Sequence, residues 1–261
     1  MALELILKIF VFCLGSAIGS FLNVCIYRMP RKESIVHPAS HCPGCKHALR
    51  WYDNIPLISY LLLRGCCRDC RIKISPRYFV VELITALLFL LLFKLHGLTP
   101  QFLIYCVFYS ALIVASFIDI AIREIPDEIT LSGIVIGLLL SLLVPALQGT
   151  PQHLLALGRA SLGMIVGGGS IFLTGLIGDA IFKKETMGGG DVKLLAMVGA
   201  FIGWKLVLLT FFLAPFFGAI FGIILKIKKG ESFIPYGPFL SLATLLTMVW
   251  GELILGWLLL T

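Results

Sequence analysis

Charge is what this chain has least of. Only 13% of its 261 residues are Asp, Glu, Lys or Arg, roughly half the share of a soluble domain. With 59% hydrophobic residues and a mean hydropathy of +1.01, the composition excludes an ordinary soluble enzyme. Short segments of alternating apolar and polar residues are missing, which excludes a membrane β-barrel. So is a βαβ unit with a glycine loop, which excludes nucleotide binding in the Rossmann manner. Runs of 18 or more nearly uncharged residues take their place, and a helix needs about 20 to cross a bilayer. A lipid-exposed backbone must satisfy its own hydrogen bonds. The expectation is an all-α polytopic membrane protein.

About eight spans can be drawn by that length rule. They are Leu3–Tyr27, Tyr78–His96, Gln101–Ile122, Ile129–Leu147, Leu154–Phe182, Asp191–Trp204, Leu206–Leu225 and Phe239–Leu260. The sixth is short, and only Gly203–Lys205 divides it from the seventh. The first has Glu4 near its start, no basic cluster before its apolar run and basic residues after it. A retained span is therefore expected rather than a cleaved signal peptide. The predicted organisation is a first membrane helix (1–28), a cysteine-rich cytoplasmic loop (29–75) and a seven-helix membrane core (76–261).

The formal charge of +7 is not a nucleic-acid signal once it is mapped. Ten basic residues between Arg28 and Arg77 follow span one. Arg123 follows span three, Lys183, Lys184 and Lys193 lie after span five, and Lys226, Lys228 and Lys229 after span seven. The opposite side receives only Lys8, Lys94, Arg159 and Lys205. This asymmetry puts the basic loops in the cytoplasm and both termini outside.

The cytoplasmic loop holds "HCPGCKH" (His41–His47) and "CCRDC" (Cys66–Cys70). Cys42, Cys45, Cys67 and Cys70 form two Cys-x-x-Cys knuckles, a spacing that lets each pair reach one Zn²⁺ ion from a tight turn. Pro43 and Gly44 suit that turn. Four protein ligands leave no open position, so such a zinc is structural. Disulfides are the poorer reading in a reducing cytosol. Cys66, His41 and His47 remain alternative ligands. Cys13, Cys25 and Cys106 lie in spans, as buried small apolar residues do.

Acidic residues are few, so their positions inform. Asp119 lies in the last turns of span three and Asp191 opens span six after Gly188, Gly189 and Gly190. Both fall at similar depth on the cytoplasmic side. An ionisable group there is a functional-site hypothesis by default. Two carboxylates brought close share one proton, which makes a general acid and a general base from one residue type. Such a pair activates water against a peptide carbonyl without metal or covalent intermediate. The three glycines would let a substrate backbone approach. Alternatives stay open: Asp191 as a helix cap, Asp119 as a partner of Arg123, Asp127 as the cap of span four and Lys193 as a snorkelling residue. Lys193 can also hold a substrate carbonyl, and Glu82, a turn inside span two, can contact substrate or a basic group.

These blocks in order resemble the type IV prepilin leader peptidases, the bifunctional prepilin peptidase/N-methyltransferase family of GxGD-type intramembrane aspartic peptidases. The resemblance runs through "GSFLNVCIYRMP" (Gly19–Pro30), the cysteine pairs, "DNIPLISYLLLRG" (Asp53–Gly65), "VELITALLF" (Val81–Phe89), "FIDIAIREIPDEIT" (Phe117–Thr130), "MGGGDVKLLAMVGAFIGW" (Met187–Trp204) and "IPYGPFLSLA" (Ile234–Ala243). The family usually has glycine where this chain has Thr186. The resemblance implies Asp119 and Asp191 as the catalytic dyad in an inner-membrane enzyme. Its substrates would be prepilins or pseudopilins, cut after a short basic leader on the cytoplasmic side. The new amino terminus would then be methylated from S-adenosylmethionine. Asn23 and Arg28 match family blocks and are candidates for the methyl-donor site, with Glu82 beside them. An interhelical hydrogen bond accounts equally well for Asn23, and the stop of span one for Arg28.

Five G-x-x-x-G pairs (Gly15/Gly19, Gly133/Gly137, Gly163/Gly167, Gly199/Gly203 and Gly218/Gly222) predict close helix approach. "IPYGPF" (Ile234–Phe239) reads as an irregular entry to span eight. Two rival functions are a proton- or cation-coupled transporter, which needs acids near the midplane, and a non-enzymatic scaffold presenting the zinc module.

Overall fold

The computed structural model describes residues 2–42, 44–183, 186–229 and 234–258. Pro43, Lys184 and the predicted end of span eight at Leu260 lie outside them, as do the side chains of Lys226, Lys228 and Lys229. The helices in order are α1 (Ala2–Arg28), α2 (Ile58–Leu62), α3 (Arg77–His96), α4 (Pro100–Ile122), α5 (Asp127–Leu143), α6 (His153–Phe182), α7 (Gly189–Lys229) and α8 (Gly237–Leu258). Short 3₁₀ turns occupy Met29–Arg31, Trp51–Asn54 and Pro145–Gln148. Among the described residues the only β-structure is two isolated bridges.

Among the described residues, six helices (α1, α3, α4, α6, α7 and α8) are long and apolar enough to cross a membrane at a minimum length of 18 residues. The two further predicted spans are accounted for differently. Span four is α5, whose 17 residues fall just short. Spans six and seven are the two helical segments of α7 that meet at a kink at Gly203 (φ 77°, ψ 172°), as the predicted division at Gly203–Lys205 expects, and Leu195 before it and Val207 after it both border Gly167 of α6. The interruption frees carbonyls of the preceding turn, and buried Gln148 meets them. Its Nε2 donates to Ala200 O at 3.1 Å and to Phe201 O at 3.2 Å. Ser141 Oγ adds a bond to Ala200 O at 3.2 Å. A polar side chain thus repairs a break that lipid could not satisfy.

The chain divides into two compact units, Met1–Val114 and Ala115–Thr261. In the first, α1 packs antiparallel on α3 through its predicted glycine pair. A Cβ on Gly15 would lie 2.8 Å from Ala86 Cα, and one on Gly19 would lie 2.7 Å from Glu82 Cα. Any side chain there would push the helices apart.

In the second unit α6 lies against α7, where Gly163 and Gly199 each face the other's carbonyl and Gly167 faces that of Leu195. Gly133 and Gly137 of α5 receive Met197 and Phe201 of α7. The fully buried Leu194, Leu195, Val198 and Ala200 fill the centre. Gly218 makes only ordinary contact with Tyr236, at 3.7 Å.

Helix α4 ends where Arg123 turns left-handed (φ 60°) and its N–H reaches back to Asp119 O at 2.8 Å. Pro126 then takes extended angles and caps α5, its carbonyl accepting from Ile129 and Thr130. This tight α4–α5 turn places Ile125 beside the predicted catalytic acids.

Candidate active site and metal centre

The cysteine loop belongs to the first unit and is built twice from one pattern. Cys42 donates its N–H to His47 O and accepts from Lys46 N, both at 2.9 Å. Cys67 does the same with Ile72 O at 2.9 Å and Arg71 N at 3.1 Å. Lys46 (φ 56°) and Arg71 (φ 58°) both turn left-handed just after the second cysteine of each pair. The bridges His41–Ala48 and Cys66–Lys73 close the two knuckles in the same register.

The result is a zinc-ribbon-like loop in which the sulfurs of Cys42, Cys45, Cys67 and Cys70 lie within 4.8 Å of one another. All eight cysteines are free of disulfides. Cys66 turns its sulfur to Arg64 O, and the rings of His41 and His47 lie by Ala39 O and Asp69. The converging donor set is therefore four thiols, a soft, closed set that can hold a metal ion.

Burial opposes the thiolate of Cys42. The amides of Cys45 and Gly44, with the thiols of Cys67 and Cys45, overcome it and bring the group down to about 7. At Cys45 the His47 amide favours the thiolate, but desolvation and the three neighbouring thiols lift it to about 12.

The three predicted methyl-donor candidates also lie in the first unit. Asn23 is buried and joins α1 to α3, its Nδ2 donating to Tyr78 O at 3.0 Å and Gly19 O at 3.3 Å. Its Oδ1 is buried without a partner. Arg28 holds the loop, donating to Ser34 O at 2.9 Å and Pro38 O at 2.7 Å. Glu82 is buried in α3 and accepts the N–H of Leu57 at 2.8 Å.

The second unit brings the two predicted acids together at one end of its helices. Asp119 sits just before the end of α4 and is only 5% exposed. Its Oδ2 accepts the backbone N–H of Gly237, the first residue of α8, at 2.8 Å. A hydrogen bond between Ser116 and Ser241 Oγ atoms at 2.8 Å fixes α4 and α8 one turn away.

Asp191 is the third residue of α7, so it lies inside the helix rather than at the capping position. The space between the acids is defined by small residues. A Cβ on Gly237 would come within 2.9 Å of Asp119 Oδ2 and 3.3 Å of Ile125 Cδ1, and one on Gly190 within 3.1 Å of Ile125 Cβ. A Cβ on Gly188 would lie 3.3 Å from Asp191 Oδ2, whereas one on Gly189 meets nothing within 4 Å. Ile125 therefore bridges the neighbour of one acid and the partner of the other.

The charge of Asp119 acts on Asp191, so the two carboxylates lie within electrostatic reach of each other. Tyr236, just before Gly237, is pushed up to about 12 by burial and by the negative charge of Asp191. The "IPYGPF" stretch thus bears on both acids: Gly237 holds Asp119 by its amide, and Tyr236 feels the charge of Asp191. Composition gave no reason to set Gly237 apart. The available signal was a glycine between Tyr236 and Pro238 at a helix entrance.

Lys193 and Asp127 pair with each other, the Lys193 Nζ lying 2.6 and 2.8 Å from the two carboxylate oxygens. Both side chains are largely exposed, so the pair ties α7 to the start of α5 from the solvent side.

Residues 13–95 match the bacterial peptidase A24 N-terminal domain, and residues 106–223 match the type IV leader peptidase family. A Pseudomonas putida protein named prepilin leader peptidase/N-methyltransferase is 33% identical, over 92% of this chain and 89% of its own length. The chain belongs to the type IV leader peptidase family.

A Pseudomonas aeruginosa relative of the same name is 34% identical over 93% of this chain and 91% of its own length. One from Myxococcus xanthus is 39% identical over 86% of this chain; the chain spans 64% of that relative's length. No solved structure matches the chain. The leader peptidase match contains Asp119, Asp127, Asp191 and Lys193, and Gly237 lies beyond it.

Proposed function

We propose that this chain is an aspartic endopeptidase of the inner membrane that removes the leader from prepilins or pseudopilins, with Asp119 and Asp191 as its catalytic pair. The observation that carries this reading is that the Gly237 amide holds Asp119, that Ile125 lies by both Gly237 and Gly190, the residue before Asp191, and that the charge of Asp119 acts on Asp191. A water held between them loses a proton to the carboxylate member while its oxygen attacks the scissile carbonyl carbon. The protonated member gives its proton to the leaving amide nitrogen as the C–N bond breaks. The pair titrates as a unit, so the two roles belong to the dyad rather than to a fixed residue. The Gly237 amide fixes one oxygen of Asp119, which leaves the other orientable toward water. Open space at Gly189 supports a substrate backbone passing close to Asp191.

A transporter would carry such acids near the midplane, whereas these lie at the end of α4 and the start of α7. A scaffold would tolerate their loss. The test is cleavage of a prepilin-like substrate by the purified chain in detergent. Asp119→Asn and Asp191→Asn should each lose about 10²–10⁴-fold in rate, the scale of general acid–base catalysis. A folded variant that cuts at the parental rate ends the assignment.

For the loop, the four-thiol set supports zinc, held by Cys42, Cys45, Cys67 and Cys70 as a cross-link between the two knuckles. Relatives named N-methyltransferases support a second activity on the new amino terminus. S-adenosylmethionine, when bound, supplies an electrophilic methyl group on a sulfonium. The fit to its proposed site is partial. Asn23 offers an unfilled buried acceptor, while both terminal nitrogens of Arg28 are engaged by loop carbonyls. Mass measurement of the cleaved product with and without the methyl donor tests this activity: one added methyl group is expected, and an unchanged mass removes it.

A further inference from the structure

A single helical turn in the cysteine loop carries its apolar side chains on the outside. In α2, Ile58, Leu61 and Leu62 are spaced i, i+3, i+4 and are 55%, 62% and 78% exposed. Side chains at that spacing share one face. Ser59, on the other side, is buried and donates to Tyr52 O at 2.7 Å. That bond ties α2 to the turn Trp51–Asn54, where Trp51 is 80% exposed. Leucine, isoleucine and tryptophan side chains left this exposed are not what a water-facing loop presents.

The fold also fixes the depth of this turn. Leu57, the residue before α2, gives its N–H to Glu82. Glu82 lies five residues into α3 from Arg77, about 7.5 Å along the helix axis. Tyr60 packs on Phe79, in the first turn of α3, with ring centroids 5.5 Å apart. Leu57 has a positive φ (62°, with ψ −51°), a conformation rare outside glycine and held only where surroundings demand it. So α2 lies alongside the first turns of a membrane-capable helix rather than beyond its end. Exposed Arg50, Arg64, Arg71 and Lys73 belong to the same loop. Cations beside an apolar face match an anionic lipid surface.

We propose that α2 and Trp51 are a monotopic anchor. They insert between the headgroups and acyl chains of the leaflet through which α3 enters, and the phospholipid bilayer is what covers their apolar face. The metal knuckles then ride on the membrane surface, pinned by the Leu57–Glu82 bond and by this insertion. The inference rests on α3 spanning the membrane and not on the peptidase reading, since no substrate enters its test.

The test uses the full chain with Trp204, Trp250 and Trp257 changed to Phe, so that Trp51 is the sole tryptophan. It is reconstituted in phosphatidylethanolamine/phosphatidylglycerol vesicles whose acyl chains carry bromine. A second chain keeps only Trp250, which is lipid-accessible on α8 by its exposure. Trp51 should be quenched by brominated lipid to an extent comparable with Trp250, and it should be shielded from aqueous iodide. In the same background, Leu61→Ser/Leu62→Ser should restore iodide access to Trp51 while the metal content per chain stays at the parental value. Trp51 open to iodide and insensitive to brominated lipid in the parental sequence overturns the anchor, whether solvent or a protein partner covers the face. Trp51 unmoved by the double serine change also overturns it.

Discussion

Replacing Gly237 with alanine tests the two-acid arrangement without touching either acid. The new Cβ would stand 2.9 Å from Asp119 Oδ2, where ordinary contact begins at 3.4 Å. The carboxylate must therefore retreat by about half an ångström, and Ile125, at 3.3 Å, restricts where it can go. Since a misplacement of about 1 Å can cost 10²-fold, half of that should lower kcat about tenfold, or ~1.4 kcal/mol. Stability should not fall with it. Gly237 opens α8 without a positive φ, and alanine is a better helix former than glycine by about 1 kcal/mol. The assay is cleavage of a prepilin-like substrate in detergent, with kcat and KM separated and thermal unfolding followed in parallel. Gly169→Ala in α6 is the control, because a Cβ there meets nothing within 4 Å. Gly190→Ala, 3.1 Å from Ile125, should lose less than Gly237→Ala. Parental kcat in folded Gly237→Ala refutes the reasoning, and so does an equal loss in the control.

Gly189 faces open space, so Gly189→Ala should raise KM several-fold and leave kcat in place. Steady-state kinetics decide this, and an unchanged KM removes the passing substrate backbone. Lys193→Met should shift stability by less than about 1 kcal/mol, because its ion pair with Asp127 joins side chains 38% and 54% exposed. Cleavage should stay near the parental rate; a large loss with stability retained would mean that the lysine acts on substrate. Cys42→Ser combined with Cys67→Ser removes one thiol from each knuckle, and elemental analysis should find the bound metal gone. Full retention of metal would refute the four-thiol centre.

Length and hydropathy made the helical membrane class legible, and the five glycine pairs carried specific packing information. Gly15 with Gly19 and Gly163 with Gly199 mark the α1–α3 and α6–α7 approaches, because only a missing side chain lets two backbones come that close. In the last pair Gly218 makes only ordinary contact with aromatic rings, while Gly222 leaves no room for a side chain beside Ile234. The join of the sixth and seventh predicted spans was the weakest boundary for a physical reason. Hydropathy runs unbroken through Gly203 and cannot show that the helix breaks there, with a distant glutamine, Gln148, satisfying the freed carbonyls. The two-residue cysteine spacing was legible for the opposite reason: all the geometry that matters is local to each knuckle.

The acids stood out because carboxylates are expensive in an apolar segment, but their surroundings did not. What holds Asp119 is a backbone amide, and a backbone amide leaves no mark in a sequence. What keeps room around both acids is a set of absent Cβ atoms on two separate segments, Gly188 and Gly190 before Asp191 and Gly237 beside Asp119, with Ile125 of the α4–α5 turn lying by both Gly190 and Gly237. Each glycine alone reads as packing or as a turn. Their shared meaning depends on which carboxylate lies opposite, and tertiary structure decides that. Lys193 shows the converse. As a cation two residues from Asp191 it reads as able to hold a substrate carbonyl at the dyad, yet a helix turns about 200° over two residues. Its side chain accordingly leaves the acids and meets Asp127 on the exposed side. A site assembled from backbone groups and missing side chains is read only where the helices meet, so substitutions at Gly237 probe it more sharply than further changes to charged neighbours.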